Sequence, residues 1–140
     1  MATPEENKAI YRRLIEEVWN RGNLAVADEL LAPDATAPSA PQLPLGPEGL
    51  KAVVRIFRTA FPDFYMTIED IIAEGDKVAA RFVEGGTHQG VFMGIAPTGR
   101  RVTFREIAIV RIVNGKVVES RWEVDMLGLY QQIGAVTPPG

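Results

Sequence analysis

The hydrophobic pattern of this chain changes its period once, at Pro62. Before it apolar residues recur with helical spacing, and after it they alternate. Ile10, Tyr11, Leu14, Ile15, Val18 and Trp19 form one helical stripe, opened by the capping box Thr3-Pro4-Glu5-Glu6 and ended by Gly22. Leu24, Ala27, Leu30 and Leu31 mark a short second helix that stops at Pro33. Leu50, Val53, Val54, Phe57 and Phe61 give a third helix, from about Glu48 to Ala60. Then Phe64, Met66 and Ile68 alternate with Tyr65, Thr67 and Glu69. Gly75-Asp76 reads as a turn, Lys77 to His88 as a second strand and Arg101 to Val113 as a third. Asn114-Gly115 is a hairpin signal that leads into a fourth strand, Lys116 to Met126. Leu127 to Ile133 predicts a final turn of helix, and the tail Thr137 to Gly140 reads as frayed.

Helices grouped ahead of an antiparallel meander predict an α+β domain. We expect one domain over residues 1–140, a cone of three N-terminal helices on a curved antiparallel sheet, with space for a ligand between the layers. The stretch Pro38 to Pro47 holds four prolines and Gly46, which predicts an irregular loop. It is too apolar for a solvated linker and is expected to lie against the body, over a pocket mouth.

Composition removes several classes of function. Without cysteine there is no disulfide, zinc-thiolate site or thiol nucleophile. One His and scattered acids argue against a metal site. A net charge of −3, from 18 acids and 15 bases, argues against nucleic acid as a partner. No apolar run approaches the ~20 residues of a membrane span. Met1 to Lys8 is polar and acidic, unlike a secretory signal, so the expected location is the cytoplasm.

Counting outward from Asn114-Gly115 pairs Ile112 with Val117, Val110 with Glu119, Ala108 with Arg121, Glu106 with Glu123 and Phe104 with Asp125. One face of the hairpin then carries Glu106, Arg121, Glu123 and Asp125, and the other Ile107, Ile109, Val118, Trp122 and Val124. Two readings stay open. The charged face is solvated and the apolar face packs under the helices, or the charged face lines a cavity and the apolar face is a homodimer surface. In the second, carboxylates crowded in a dry site acquire the raised pKa that general acid/base chemistry needs. Trp19, Phe57 and Phe61 would be the apolar wall. His88, in a Gly-rich strand end, reads first as a loop residue.

Five stretches carry a family resemblance. They are Glu16-Glu17-Val18-Trp19-Asn20-Arg21-Gly22-Asn23, Gly46-Pro47-Glu48-Gly49, Ala60-Phe61-Pro62-Asp63, Gly86-Thr87-His88-Gln89-Gly90 with Pro97-Thr98-Gly99, and Asp125-Met126-Leu127-Gly128-Leu129 with Gln131-Gln132-Ile133-Gly134. The chain resembles the SnoaL-like polyketide cyclases, or ester cyclases, of the nuclear-transport-factor-two-like superfamily. The resemblance implies a cofactor-free catalyst. An Asp at the position of Asp125 removes a proton beside a carbonyl, and the enolate closes a ring by aldol attack. It implies His88 as a second polar group at the pocket, to which the hairpin count adds Phe104, Glu106, Arg121 and Glu123. There are departures. Ala37-Pro38 stands where many relatives carry Asp-His, and Ser120-Arg121 where they carry His-Trp. Ser39 or Ala40, and Ala108, stand where the isomerases of this fold carry acids. The expected function is acid/base catalysis on a hydrophobic carbonyl compound. The alternatives are a non-catalytic ligand-binding or dimerisation domain of the same fold, or a hydrolase resembling the epoxide hydrolases.

Overall fold

The structure, a computed structural model, describes residues 2–136; the tail read as frayed lies outside them. Helix α1 (Pro4–Arg13) starts at Thr3, whose hydroxyl accepts the Glu6 amide at 3.1 Å. It runs on as a π-helical segment, Leu14–Asn20. The wider turn leaves its last carbonyls without helical partners. Arg58 Nη1 supplies donors to the Trp19 and Asn20 carbonyls, at 2.9 and 3.2 Å. The Asn20 amide pairs with the Met66 backbone in both directions, at 3.0 and 2.7 Å, as a neighbouring strand would.

Helix α2 spans Ala25–Leu30 and α3 Pro47–Ala60. Between them the sequence expectation is corrected. Leu31 is not helical but opens a strand, β1 (Leu31–Thr36), which pairs in parallel with the last strand. Pro33 is tolerated because β1 is an edge strand of the sheet order β1-β5-β4-β3-β2. The other strands are β2 (Tyr65–Glu74), β3 (Lys77–Thr87), β4 (Arg101–Val113) and β5 (Lys116–Val124), an antiparallel meander. Helix α4 is Met126–Gln132. The α+β cone read from the sequence is thus the architecture found, with one extra strand.

The hairpin register is the second correction. Val113 pairs with Lys116 and Ile112 with Val117, as counted from the turn. The register then shifts, leaving Val118 unpaired, so Arg111 faces Glu119, Val110 Ser120, Ala108 Trp122 and Glu106 Val124. One bulged residue exchanges the faces of everything beyond it. Trp122 and Val124 turn inward with Glu106 and Ala108. Arg121 and Glu123 turn outward with Ile109 and Ile107, which stay exposed. The core lies between the inner sheet face and the helices and includes Tyr11, Val18, Val54, Phe61, Phe82 and Val110.

Candidate active site

A cavity of about 480 Å³ lies between α1, the π segment, α3 and the inner sheet face. Leu14, Ile15, Trp19, Val53, Phe57 and Trp122 make its apolar wall. Trp19 and Phe57 meet edge to face, ring centres 6.0 Å apart, and Phe57 leans on Phe92 at 5.3 Å. The Pro-rich loop supplies Ala37, Ser39, Ala40, Gln42, Leu43 and Pro44 to the same lining. The amide of Trp122 donates to Ser39 Oγ at 2.9 Å, and the Gly46 amide to the Ala35 carbonyl at 2.8 Å, so the loop is tied at both ends. Gly46 has φ +73°, and an added Cβ there would collide with the Pro33 carbonyl.

The chemistry in this cavity belongs to Tyr11, Glu84 and Glu106. Glu84 sits in phase with Val78, Ala80 and Phe82, the inward residues of β3. It faces Phe104 across the ladder, and Glu106 is two residues on, the diagonal neighbour. Long side chains on one face meet at that spacing. Glu84 is 2% exposed, and no protein donor reaches its Oε2. Its polar neighbour is the Glu106 carboxyl. Two carboxyls can hydrogen-bond only if one holds a proton. Burial, the charge of Glu106 and the hydrogen bond to it push the Glu84 pKa far up. Burial also raises Glu106, while the bond from Glu84 holds it back. The pair therefore works as protonated Glu84 donating to an ionisable Glu106. Burial first, then the charges of Glu106 and Glu84, raise the Tyr11 phenol well above its ordinary value, so it stays protonated as a donor. A neutral donor, an acid and a base tuned toward neutrality meet in one apolar space.

The residues singled out in the sequence fall in three groups. Trp19, Phe57 and Glu106 line the cavity. Glu123 contributes to the lining but lies opposite outward-facing Ile107 and is exposed. Phe61, Phe104, His88, Arg121 and Asp125 are not among the lining residues. Phe61 and Phe104 are core side chains behind the wall, and exposed Arg121 pairs with Glu119 at 3.2 Å. His88 is fully buried, stacked on Phe61 at 5.5 Å between ring centres. Its Nδ1 is held by Thr98 Oγ1 at 3.0 Å and the Thr98 amide at 3.3 Å, which closes the loop from His88 to Arg100. Asp125 is exposed and caps α4, accepting the Gly128 amide on Oδ1 at 2.9 Å. An added Cβ on Gly128 would strike that carboxylate, which explains the Asp-x-x-Gly spacing structurally. Likewise Asp63 accepts from the Thr87 amide at 2.6 Å and hydroxyl at 2.8 Å, tying two of the resemblance stretches together. Among the described residues no group of three or more His, Asp or Glu is placed to hold a metal ion.

The SnoaL-like polyketide cyclase family profile matches residues 9–133. An aklanonic acid methyl ester cyclase of Streptomyces sp. (strain C5), DauD, is 33% identical over 92% of this chain and 82% of its own length. The nogalonic acid methyl ester cyclase of Streptomyces nogalater is 31% identical over 86% of this chain and 92% of its own length. Among solved structures, TsrD from Streptomyces laurentii superposes with a TM-score of 0.89 at 29% identity, covering 97% of this chain and all (100%) of that one.

Proposed function

The chain belongs to the SnoaL-like polyketide cyclase family, and on that premise we propose that it is a cofactor-free acid/base catalyst closing a ring in a hydrophobic carbonyl compound. The observation that carries this is the Glu84–Glu106 carboxyl pair in an apolar cavity. Ionised Glu106 takes a proton from the carbon beside a substrate carbonyl. As Glu106 gains that proton, the Glu84 hydroxyl is released from it and, with the Tyr11 phenol, donates to the enolate oxygen that forms. The enolate carbon attacks a second carbonyl of the same molecule, making the carbon–carbon bond, and the proton on Glu106 moves to the new alkoxide. The reaction neither gains nor loses atoms.

This reading moves the base from Asp125 to Glu106, because Asp125 is engaged at the α4 N-terminus outside the lining. The two assignments separate cleanly. The test incubates the protein with aklanonic acid methyl ester and nogalonic acid methyl ester, the compounds named for the relatives, and follows cyclised product by mass spectrometry. Turnover is expected, with Glu106→Gln reducing it ~100-fold or more, a usual span for a general base. Asp125→Asn, which keeps a good cap, should retain it. Turnover lost in Asp125→Asn and kept in Glu106→Gln would return the base to Asp125. No turnover of any aromatic polyketide ester would favour ligand binding without chemistry.

We also read the protein as a cytoplasmic homodimer joined through the outer sheet face, where Ile72, Ile107 and Ile109 are exposed at 69%, 54% and 44%. No helix among the described residues is long and apolar enough to cross a membrane.

A further inference from the structure

The cavity gathers carboxyl groups and no cationic side chain. Among the residues that line it there is no Lys, Arg or His. Its ionisable groups are Tyr11 from α1, Glu84 from β3, Glu106 from β4 and exposed Glu123 from β5. Buried carboxylates are ordinarily matched by a guanidinium or ammonium, since a charge left alone in a dry site is costly. Here the nearest partner of each inner carboxyl is the other, and Glu84 Oε2 is reached by no protein donor at all.

We propose that this cavity binds a lipophilic primary ammonium, its apolar body against Trp19 and Phe57 and its N–H donors shared between Glu84 and Glu106. An ammonium brings three donors and no acceptor, which is what two facing carboxyls lack. Opposite charge in a low-dielectric space is worth far more than at a surface. The aromatic walls favour a cation as well. A cavity of about 480 Å³ accommodates a bicyclic body. A carboxylate of the same shape is repelled by ionised Glu106 and finds no cationic side chain in the lining.

Such a ligand would occupy the proton-transfer end of the cavity and compete with a carbonyl substrate. Its binding needs no turnover, so failure here leaves the cyclase reading to its own test. The experiment is calorimetric titration of the full chain with 2-naphthylmethylamine, 2-naphthalenemethanol and 2-naphthoate, which share one apolar body. At about pH 8 the amine should bind at least ~10-fold more tightly than the alcohol, roughly 1.4 kcal/mol, and the naphthoate not measurably. At about pH 5, with the pair fully protonated and the amine still charged, the preference should collapse. The Glu84→Gln/Glu106→Gln double variant should lose the preference and keep alcohol binding, which also reports an intact cavity. Equal affinity for amine and alcohol at pH 8, or a preference that survives in the double variant, overturns the proposal. Should the double variant not fold, the pH arm on the unaltered protein decides alone.

Discussion

At the scale of single residues, the candidate site was half legible. Glu106 could be suspected because it follows Phe104 and precedes Ala108 and Val110 in a period-two run. Glu84 carries the same signal, an acid in phase with Val78, Ala80 and Phe82. A strand read for its boundaries alone does not flag it. An acid on the apolar face of a strand is expensive unless it is paired or protonated, so its phase is evidence. The stability of the protein should report the pair. Both carboxyls hold protons in the folded chain above the ordinary value of 4.5. The native state then binds more protons than the unfolded one over that window, so stability falls as pH rises. That loss should run continuously from roughly pH 5 to pH 8, because each carboxyl that ionises in the folded chain was already ionised in the unfolded one. In Glu84→Gln, which keeps a donor toward Glu106 and removes one titration, thermal unfolding should depend less on pH. An unchanged slope in that variant would show that Glu84 is not the proton holder. Asp125 makes the opposite case. Its family position suggested catalysis, whereas its contacts are those of a helix cap, and Asp125→Ala should cost about 1 kcal/mol in denaturant unfolding.

At the scale of elements, the change of period at Pro62 located three helices and four strands, because each has a buried face long enough to leave a pattern. Strand β1 left none. Its six residues include Pro33 and Asp34, and its place at the sheet edge comes from pairing with β5, a partner distant in sequence. The Val118 bulge was equally hidden, since an extra residue between Val117 and Glu119 looks like any other. The hairpin count was right up to that residue and inverted after it. The Pro-rich loop was legible as irregular and apolar, and its tie to β5 is a single bond from the Trp122 amide to Ser39 Oγ. That bond makes the loop testable. Ser39→Ala should leave the melting temperature within about 1–2 °C, as loss of one partly exposed hydrogen bond implies. It should also raise hydrogen exchange at the Trp122 amide and across the loop from Ala37 to Gly46. Protection unchanged in the variant would mean that packing, not Ser39, holds the loop.

At the scale of the whole molecule, the sheet has two faces with different tasks. The inner face closes the cavity. The outer face crosses β2, β3 and β4 through Ile72, Ala79 and Ile109, with Ile107 one pair further along and Ile72 69% exposed. An apolar strip of this kind on an antiparallel sheet asks for a cover. Its border carries both signs of charge. Arg81 reaches Asp70 and Glu69, and Arg121 reaches Glu119. A border with acids and bases side by side suits a two-fold partner, because rotation sets each sign against the other on an identical surface. The proposed dimer follows from this, and the bulge at Val118 strengthens it. Without the bulge Trp122 and Val124 would face outward and the cavity would lose its wall. With it, the outer face keeps Ile107 and Ile109 and the inner face keeps the aromatic wall. Sedimentation equilibrium should therefore give twice the 15.3 kDa of one chain. Ile107→Asp with Ile109→Asp should halve that mass and leave the far-ultraviolet circular dichroism unchanged, since both side chains point away from the core. If the doubly substituted protein stays dimeric, the interface lies elsewhere; if the unaltered chain sediments as a monomer at micromolar concentration, the outer strip has another partner. Either result leaves the carboxyl pair untouched, because Glu84 and Glu106 project from the opposite side of the same strands.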